Sequence, residues 1–466
     1  MKVLLANPPW KKDARRYGVR AGSRWPFTMP ASAPDTVGYL PFPFFLAYGT
    51  ALLEARSKAE VAAVDAIGEG LTEEQYLERL AALAPDIIMA ETSRASFPQD
   101  LHHAVTAKDL LPEVTYVMAG PQASVAPQDI LSRHPEVDYC FAGEYEWTLL
   151  DFVNTRLDGK FSPEAMPGLA WRDKQGSARV NARRPLGDLA ELPWPAYKHF
   201  PMLRYRDYFC GIPAPMVNMV ASRGCPFKCS FCLWPEVMYG GHKYRTRKPA
   251  DVADEMAFLV DTYGFKTVYF DDDTFNIGRD RIIELAGEIR GRHRDISLAV
   301  MARADTMDDD MLLALKGAGL TAIKYGLESA SQAIIDRCGK GLDIEKAKRM
   351  IRFTQDMGVK VHLTFTVGLP GETEKSIEDS INLARELDTE SIQISLATPF
   401  PGTPFYAQIQ AEGHLLATDE ELFDGSHRCV TRTEALSASQ IEEGYQRFHA
   451  AWNEHRQHRE EARCAR

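Results

Sequence analysis

The chain has 466 residues, too many for one ordinary core, so two or three domains are expected. Its composition, 45% hydrophobic and 26% charged, is that of a globular protein, and no apolar run reaches the ~18 residues of a membrane span. A formal net charge of -11 argues against nucleic acid as a bulk electrostatic partner.

In chain order, "MKVLLANPPW" opens with a short apolar run that reads as a buried β-strand rather than a signal peptide. Strands are predicted over 2–8, 60–66, 86–92, 115–120 and 139–144. Helical stretches lie between them, such as 72–84, where Leu77, Leu80, Ala81 and Leu83 recur near a 3.6 period. Apolar strands alternating with helices predict a parallel sheet covered on both faces. Ligands of such sheets sit off the strand carboxyl ends, where this chain places "NPPW", "ETS", "AGPQAS" and "GEYEW".

Residues 151–210 show little periodicity and read as a connection. Alternation resumes with strands near 216–221, 266–271, 296–302, 321–326, 359–367 and 391–397. Six β/α units predict a parallel barrel or partial barrel, with its chemistry at the strand C-terminal ends. A charged helical segment closes the chain, with Ser437 as its N-cap. The expected fold class is therefore α/β, with an N-terminal Rossmann-like domain over 1–155 and a linker over 156–210. A partial (β/α)6 TIM-type barrel over 211–405 and a helical segment over 406–466 follow.

Three of the eight cysteines, Cys225, Cys229 and Cys232, stand in a C-x3-C-x2-C spacing just after the first barrel strand. Cys140, Cys210, Cys338, Cys429 and Cys464 are scattered singly, which argues against a disulfide framework and for a reducing cytoplasm. A structural zinc needs four ligands, and here the second pair is missing; His242 is the nearest candidate. Three thiolates suit a [4Fe–4S] cluster with one iron left open to a small molecule.

This spacing, with the features at the later strand ends, resembles the radical SAM superfamily over residues 215–405. The resemblance implies that Cys225, Cys229 and Cys232 hold the cluster and that S-adenosylmethionine chelates the open iron. It further implies that Asp271 and Asp272 in "VYFDDDTF" accept from the methionine amino group. Arg303 would pair with the methionine carboxylate, and Glu328 would contact the ribose. "FTVGLPGET" and "SLATPFPGTPFY" would bring backbone close to adenine.

The N-terminal layout resembles the cobalamin-binding subgroup. Thr92 and Ser93 in "AETSRAS", Gly120 and Ser124 in "AGPQAS", and "GEYEW" correspond to the small-residue turns that admit the nucleotide tail. One departure is plain: the D-x-H-x-x-G signature is absent, since no histidine precedes His102. The lower face of a bound cobalamin would then meet another residue, with Trp10 and Trp25 as candidates. A tRNA methylthiolation enzyme would carry a second cysteine triad in its N-terminal domain and a basic RNA-binding domain. Here only Cys140 precedes residue 210, and the balance is acidic. A plain iron–sulfur electron carrier would not need so many features at the strand ends.

The expected function is cobalamin-dependent radical methylation of an unactivated carbon on a small-molecule or lipid-linked substrate. An electron donor such as flavodoxin or ferredoxin would reduce the cluster. "CLWPEVMYGGHKYRTR" also resembles radical SAM proteins of hopanoid biosynthesis, which makes ring contraction of a lipid-borne sugar the alternative. His242, Lys243, Arg245 and Arg247 would then orient a polar substrate.

Overall fold

The computed structural model describes residues 1–13, 16–19, 27–30, 39–292 and 295–464. Trp25 falls outside them. The chain forms two compact units, and neither is a single stretch of sequence. One comprises Met1–Asp207, Leu233–Lys243 and Asp419–Asp424; the other comprises Tyr208–Cys232, Tyr244–Thr418 and Gly425–Arg466.

The first unit is built on strands β1 (Lys2–Asn7), β2 (Glu60–Asp65), β3 (Ile87–Glu91), β4 (Thr115–Ala119), β5 (Tyr139–Phe141), β6 (Leu169–Arg172) and β7 (Ala178–Val180). They form one sheet in the order β7-β6-β5-β4-β3-β1-β2. The first five are parallel, whereas β6 and β7 are antiparallel additions at one edge. Every residue of β3 is buried, as a strand covered on both faces requires. Helices start where the sequence supplies caps. Thr72 and Gln75 form a reciprocal capping box at the head of Glu73–Leu83. The core beneath joins Leu4, Val64, Tyr76, Leu80, Ile88, Tyr116 and Ile130.

The second unit carries β8 (Met216–Met219), β9 (Thr267–Phe270), β10 (Ser297–Ala302), β11 (Leu320–Glu328), β12 (Lys360–Val367) and β13 (Ser391–Leu396). These pair side by side in chain order, all parallel, as an open half-barrel sheet. Phe209, Ile212, Met216, Tyr269, Ala299 and Ala322 pack together in a core of this unit. The helix Ala438–Cys464 closes the chain, and Ser437 accepts from Gln440 N at 3.3 Å, the N-cap geometry expected for it.

The expected strands appear within a residue or two of their predicted bounds along the parallel parts of both sheets, except β5, which ends at Phe141, three residues before the predicted 144. The stretch read as a bare connection differs. It contains β6 and β7, four and three residues long, too short for a period of two to stand out.

Candidate active site

The cysteine loop leaves the C-terminal end of β8, and the residues after β9 fix its stem. Asp272, fully buried, accepts from Ala221 N at 3.1 Å and from the Ser222 hydroxyl. Asp273 accepts from Gly224 N at 2.9 Å, at a glycine whose φ of +93° favours the absence of a side chain. Ser222–Arg223 pair with Arg245–Thr246 as a short antiparallel ribbon. Tyr244 donates to the Ser222 hydroxyl at 2.9 Å and itself accepts from Arg281 at 2.9 Å. Burial pushes the Asp272 carboxyl up to about 6, although the bonds from Ser222 and Ala221 favour its charge.

A second set of contacts holds the far side of the loop. Ser230 N donates to Cys338 O at 2.8 Å, and Phe405 N donates to Ser230 O at 3.0 Å. Gly339, at φ +66°, passes so close to Lys228 that a Cβ would lie 2.7 Å from its carbonyl oxygen. Cys225 Sγ lies 3.2 Å from Thr274 Oγ1, and Cys232 N bonds Cys229 O at 3.1 Å. Burial pushes the Cys225 and Cys229 thiols up, opposed by the Thr274 hydroxyl for Cys225 and by Lys340 for Cys229. Coordination to iron reverses that preference, because a metal binds the thiolate.

Three thiols on one short loop are the donor set of a cluster in which each cysteine takes one iron and the fourth iron is left open.

Around the loop, charges are buried and matched. Glu328, at the end of β11 with a strained φ of +71°, accepts from Lys340 Nζ at 3.0 Å and Thr366 Oγ1 at 2.8 Å. Lys340 is buried, which opposes its charge, yet Glu328 and Cys229 hold its pKa above the ordinary value. Arg303 is also buried. Its fork is engaged by Asp305 at 3.0 and 2.8 Å, a third donor reaches Lys340 O at 2.9 Å, and the guanidinium stacks 3.6 Å from the Phe227 ring.

The predicted residues of this unit thus divide. Asp271 is buried at the end of β9, where its backbone N bonds Met219 O at 2.9 Å. Asp272 holds the loop, and Arg303 already has a bidentate carboxylate partner. Asp273, Thr274 and Lys340 were not singled out from the sequence. The only signals for them were the third aspartate of "FDDDTF" and the lysine beside Gly339. In the basic run, Arg247 is buried and engaged by Asp251 and Glu255, and Arg245 stands in the ribbon.

In the first unit, the small-residue turns meet at the carboxyl edge of the sheet. Gly120, at φ +96°, brings its Cα so near Thr92 that a Cβ would lie 2.8 Å from the Thr92 carbonyl oxygen. The Ser124 hydroxyl donates to Gly120 O at 2.7 Å and accepts from Gly143 N at 2.8 Å. Ser93 N bonds Ser96 Oγ at 3.1 Å. Two buried polar atoms here, Thr92 Oγ1 and Gln122 Oε1, have no partner. Met238, in a rare π-helical turn over Trp234–Met238, lies on the same edge with Sδ 3.9 Å from Ser124 Oγ. His242, from the same segment, pairs with Glu236 at 2.9 Å. Trp10 is buried, with Gly18 N bonded to its carbonyl at 2.9 Å.

Residues 219–384 match the model of the radical SAM superfamily. The chain carries a radical SAM domain. It is 28% identical over 417 residues to an uncharacterized methyltransferase of Pyrococcus horikoshii, covering 89% of this chain and 84% of that one. It is 27% identical over 422 residues to an anaerobic magnesium-protoporphyrin IX monomethyl ester cyclase of Rubrivivax gelatinosus, covering 88% and 70%. In fold it is similar to TsrM, a radical S-adenosylmethionine methyltransferase from Kitasatospora setae solved with cobalamin and a [4Fe–4S] cluster. The TM-score is 0.71 at 18% identity, covering 97% of this chain and 88% of that one. This domain makes the chain an enzyme and implies a [4Fe–4S] cluster and S-adenosylmethionine as cofactors.

Proposed function

We propose that this radical SAM enzyme is a cobalamin-dependent methyltransferase acting on an unactivated carbon of a small-molecule or lipid-linked substrate. When bound, the cluster with S-adenosylmethionine supplies a 5′-deoxyadenosyl radical, and the corrinoid supplies a methyl group. The protein's share is holding and orienting. Cys225, Cys229 and Cys232 hold three irons, and the fourth is left to S-adenosylmethionine. Asp271 is the acceptor for the methionine amino group, while Asp272 and Arg303 act as positioning residues. The first ties the loop stem; the second fixes Asp305, Phe227 and the Lys340 carbonyl. Glu328, oriented by Lys340 and Thr366, takes the ribose hydroxyls. An electron donor such as flavodoxin or ferredoxin reduces the cluster.

The observation that carries the corrinoid is the turn cluster. Thr92 Oγ1 and Gln122 Oε1 are buried without partners beside Gly120, an arrangement that costs on the order of 1–3 kcal/mol per group unless something hydrogen-bonds there. A nucleotide tail supplies hydroxyl donors and phosphate acceptors at that point, with Ser93 and Ser124 shaping the turns. The Pyrococcus relative, named as a methyltransferase, supports methyl transfer as the reaction.

Anaerobic reconstitution with iron, sulfide and hydroxocobalamin tests the assignment. About four irons and one corrinoid per chain are expected. Cys225→Ala should lose the iron. Thr92→Val and Gly120→Ala should lose corrinoid while keeping iron. Active enzyme without corrinoid would remove methyl transfer and leave radical rearrangement, including ring contraction; the cyclase relative shows that related chains bear names other than methyltransferase.

A further inference from the structure

We infer that the buried ammonium of Lys340 raises the reduction potential of the cluster, and so eases the one-electron reduction on which cleavage of S-adenosylmethionine depends. The inference rests on the assignment of the cluster to Cys225, Cys229 and Cys232.

Lys340 follows directly on the place where the chain crosses the cysteine loop. Cys338 O accepts from Ser230 N at 2.8 Å, and a Cβ on Gly339 would lie 2.7 Å from the Lys228 carbonyl oxygen. Lys228 and Ser230 are the two neighbours of Cys229, so the crossing is pinned on both sides of that cysteine. Lys340 is itself fixed. Its N–H donates to Ile335 O at 3.1 Å, and its carbonyl accepts from Arg303 at 2.9 Å. Its side chain, 8% exposed, reaches Glu328 at 3.0 Å, and Thr366 and Thr364 hold that carboxylate at 2.8 and 3.3 Å. Gly326 on β11 makes room for the pair. A Cβ there would lie 2.7 Å from Glu328 Oε1 and 3.1 Å from Lys340 Nζ.

The pair is not neutral as Cys229 meets it. Among the charged side chains around that sulfur, Lys340 favours negative charge most strongly. Arg303 comes after it, with its fork already taken by Asp305, and Glu328 acts last and in the opposite sense. Reduction brings one electron and no proton to the cluster, so negative charge on the irons and their sulfurs grows by one. A cation held beside a ligating sulfur stabilises that added charge, and burial leaves little water or salt to screen it. Net charge and hydrogen bonding around the sulfurs are levers on cluster potential. Stability alone does not call for the pair, because a buried ion pair gains about what its desolvation costs.

The test is an anaerobic redox titration of reconstituted enzyme, with titanium(III) citrate as the one-electron donor and the EPR signal of the reduced cluster as readout. S-adenosylmethionine is left out, which keeps the proposed ribose contact of Glu328 from entering the measurement. Lys340→Met/Glu328→Gln removes the ammonium without stranding its partner. At a given potential its ratio of reduced to oxidised cluster should be ~10-fold below native, a midpoint about 59 mV lower. Glu328→Gln alone keeps the ammonium, so its midpoint should be no lower than native, and Lys340→Arg should keep the native midpoint. A role in packing alone would not order the potentials by charge. A native midpoint in the double variant, or an equal drop in Glu328→Gln, would overturn the inference. So would a double variant that takes up no iron, since the pair would then be a scaffold for the loop. Native protein with no [4Fe–4S] signal after reconstitution, or Cys225→Ala that keeps it, would instead refute the cluster assignment.

Discussion

At the scale of single residues, the site spends most of its named groups on one another. Glu328 and Lys340 form a pair whose side chains are 11% and 8% exposed, so removing one partner strands a buried charge. Lys340→Met should cost ~3 kcal/mol in chemical denaturation, and adding Glu328→Gln should restore most of it. A double variant no more stable than the single one would show that the pair is not the source of the loss. Gly339 makes a sharper prediction, because both its φ of +66° and the Lys228 carbonyl oxygen forbid a side chain. Gly339→Ala should keep the fold by circular dichroism yet take up less than half the native iron on reconstitution. Full iron uptake would mean that the 338–341 crossing does not shape the loop. Residues such as these mark the limit of reading from sequence. The cysteine spacing was legible because three thiols in eight residues have few uses. Arg303 looked like a ligand's partner because nothing local says that Asp305, two residues on, already engages its fork. Thr92 was legible only as a small residue in a turn; its orphaned hydroxyl is a property of packing.

Elements were easier where burial is complete. Fully buried strands such as Ile87–Glu91 and Thr267–Phe270 are short, mostly apolar runs between turn residues, and that pattern predicts them. The edge pair β6 and β7 was not visible, because an edge strand of three or four residues carries neither an apolar run nor a period. Nor was the π-helical turn Trp234–Met238, whose five-residue hydrogen bonding has no sequence signature. The loop after β12 carries an element-scale prediction. Glu372 is buried there and its carboxyl is pushed up to about 8 by burial, despite the backbone N–H groups of Gly368 and Leu369 that favour its charge. Its folded pKa lies above the unfolded value near 4.3, so the stability it contributes is complete below that pH and is lost as pH rises toward 8. Between pH 5 and 8 the native protein should therefore lose up to ~1.4 kcal/mol per pH unit from this group. Glu372→Gln, which keeps an acceptor for Gly368 N, should show a correspondingly flatter denaturation-versus-pH curve. Parallel curves for the two proteins would assign the pH dependence to other groups.

For the whole molecule, the decisive fact is that the units interleave along the chain. Cys232 ends one stretch of the second unit, and Leu233 begins the stretch that belongs to the first. The segment that follows is fixed locally. Arg183 donates to Val237 O at 2.8 Å, the Met238 carbonyl abuts Gly143, and Met238 Sδ lies against Ser124. A cysteine that is anchored to iron removes freedom from its neighbours, and that restraint passes along the chain into the first unit before any other contact is invoked. Iron removal should then loosen 233–243 as well as the loop itself, while β3 and β4, buried in the core of the first unit, should not respond. Hydrogen–deuterium exchange of holoenzyme against chelated enzyme measures this directly. Peptides over 225–243 should exchange at least ~10-fold faster without iron, which corresponds to about 1.4 kcal/mol of lost local protection, and peptides over 87–91 and 115–119 should be unchanged. Because Gly143 and Ser124 share their contacts with Met238, the same loosening should lower retention of the proposed corrinoid in iron-free protein by a comparable factor. If exchange in 233–243 is indifferent to iron, the two cofactor sites are loaded independently, and the passage of the chain from Cys232 to Met238 is connection only.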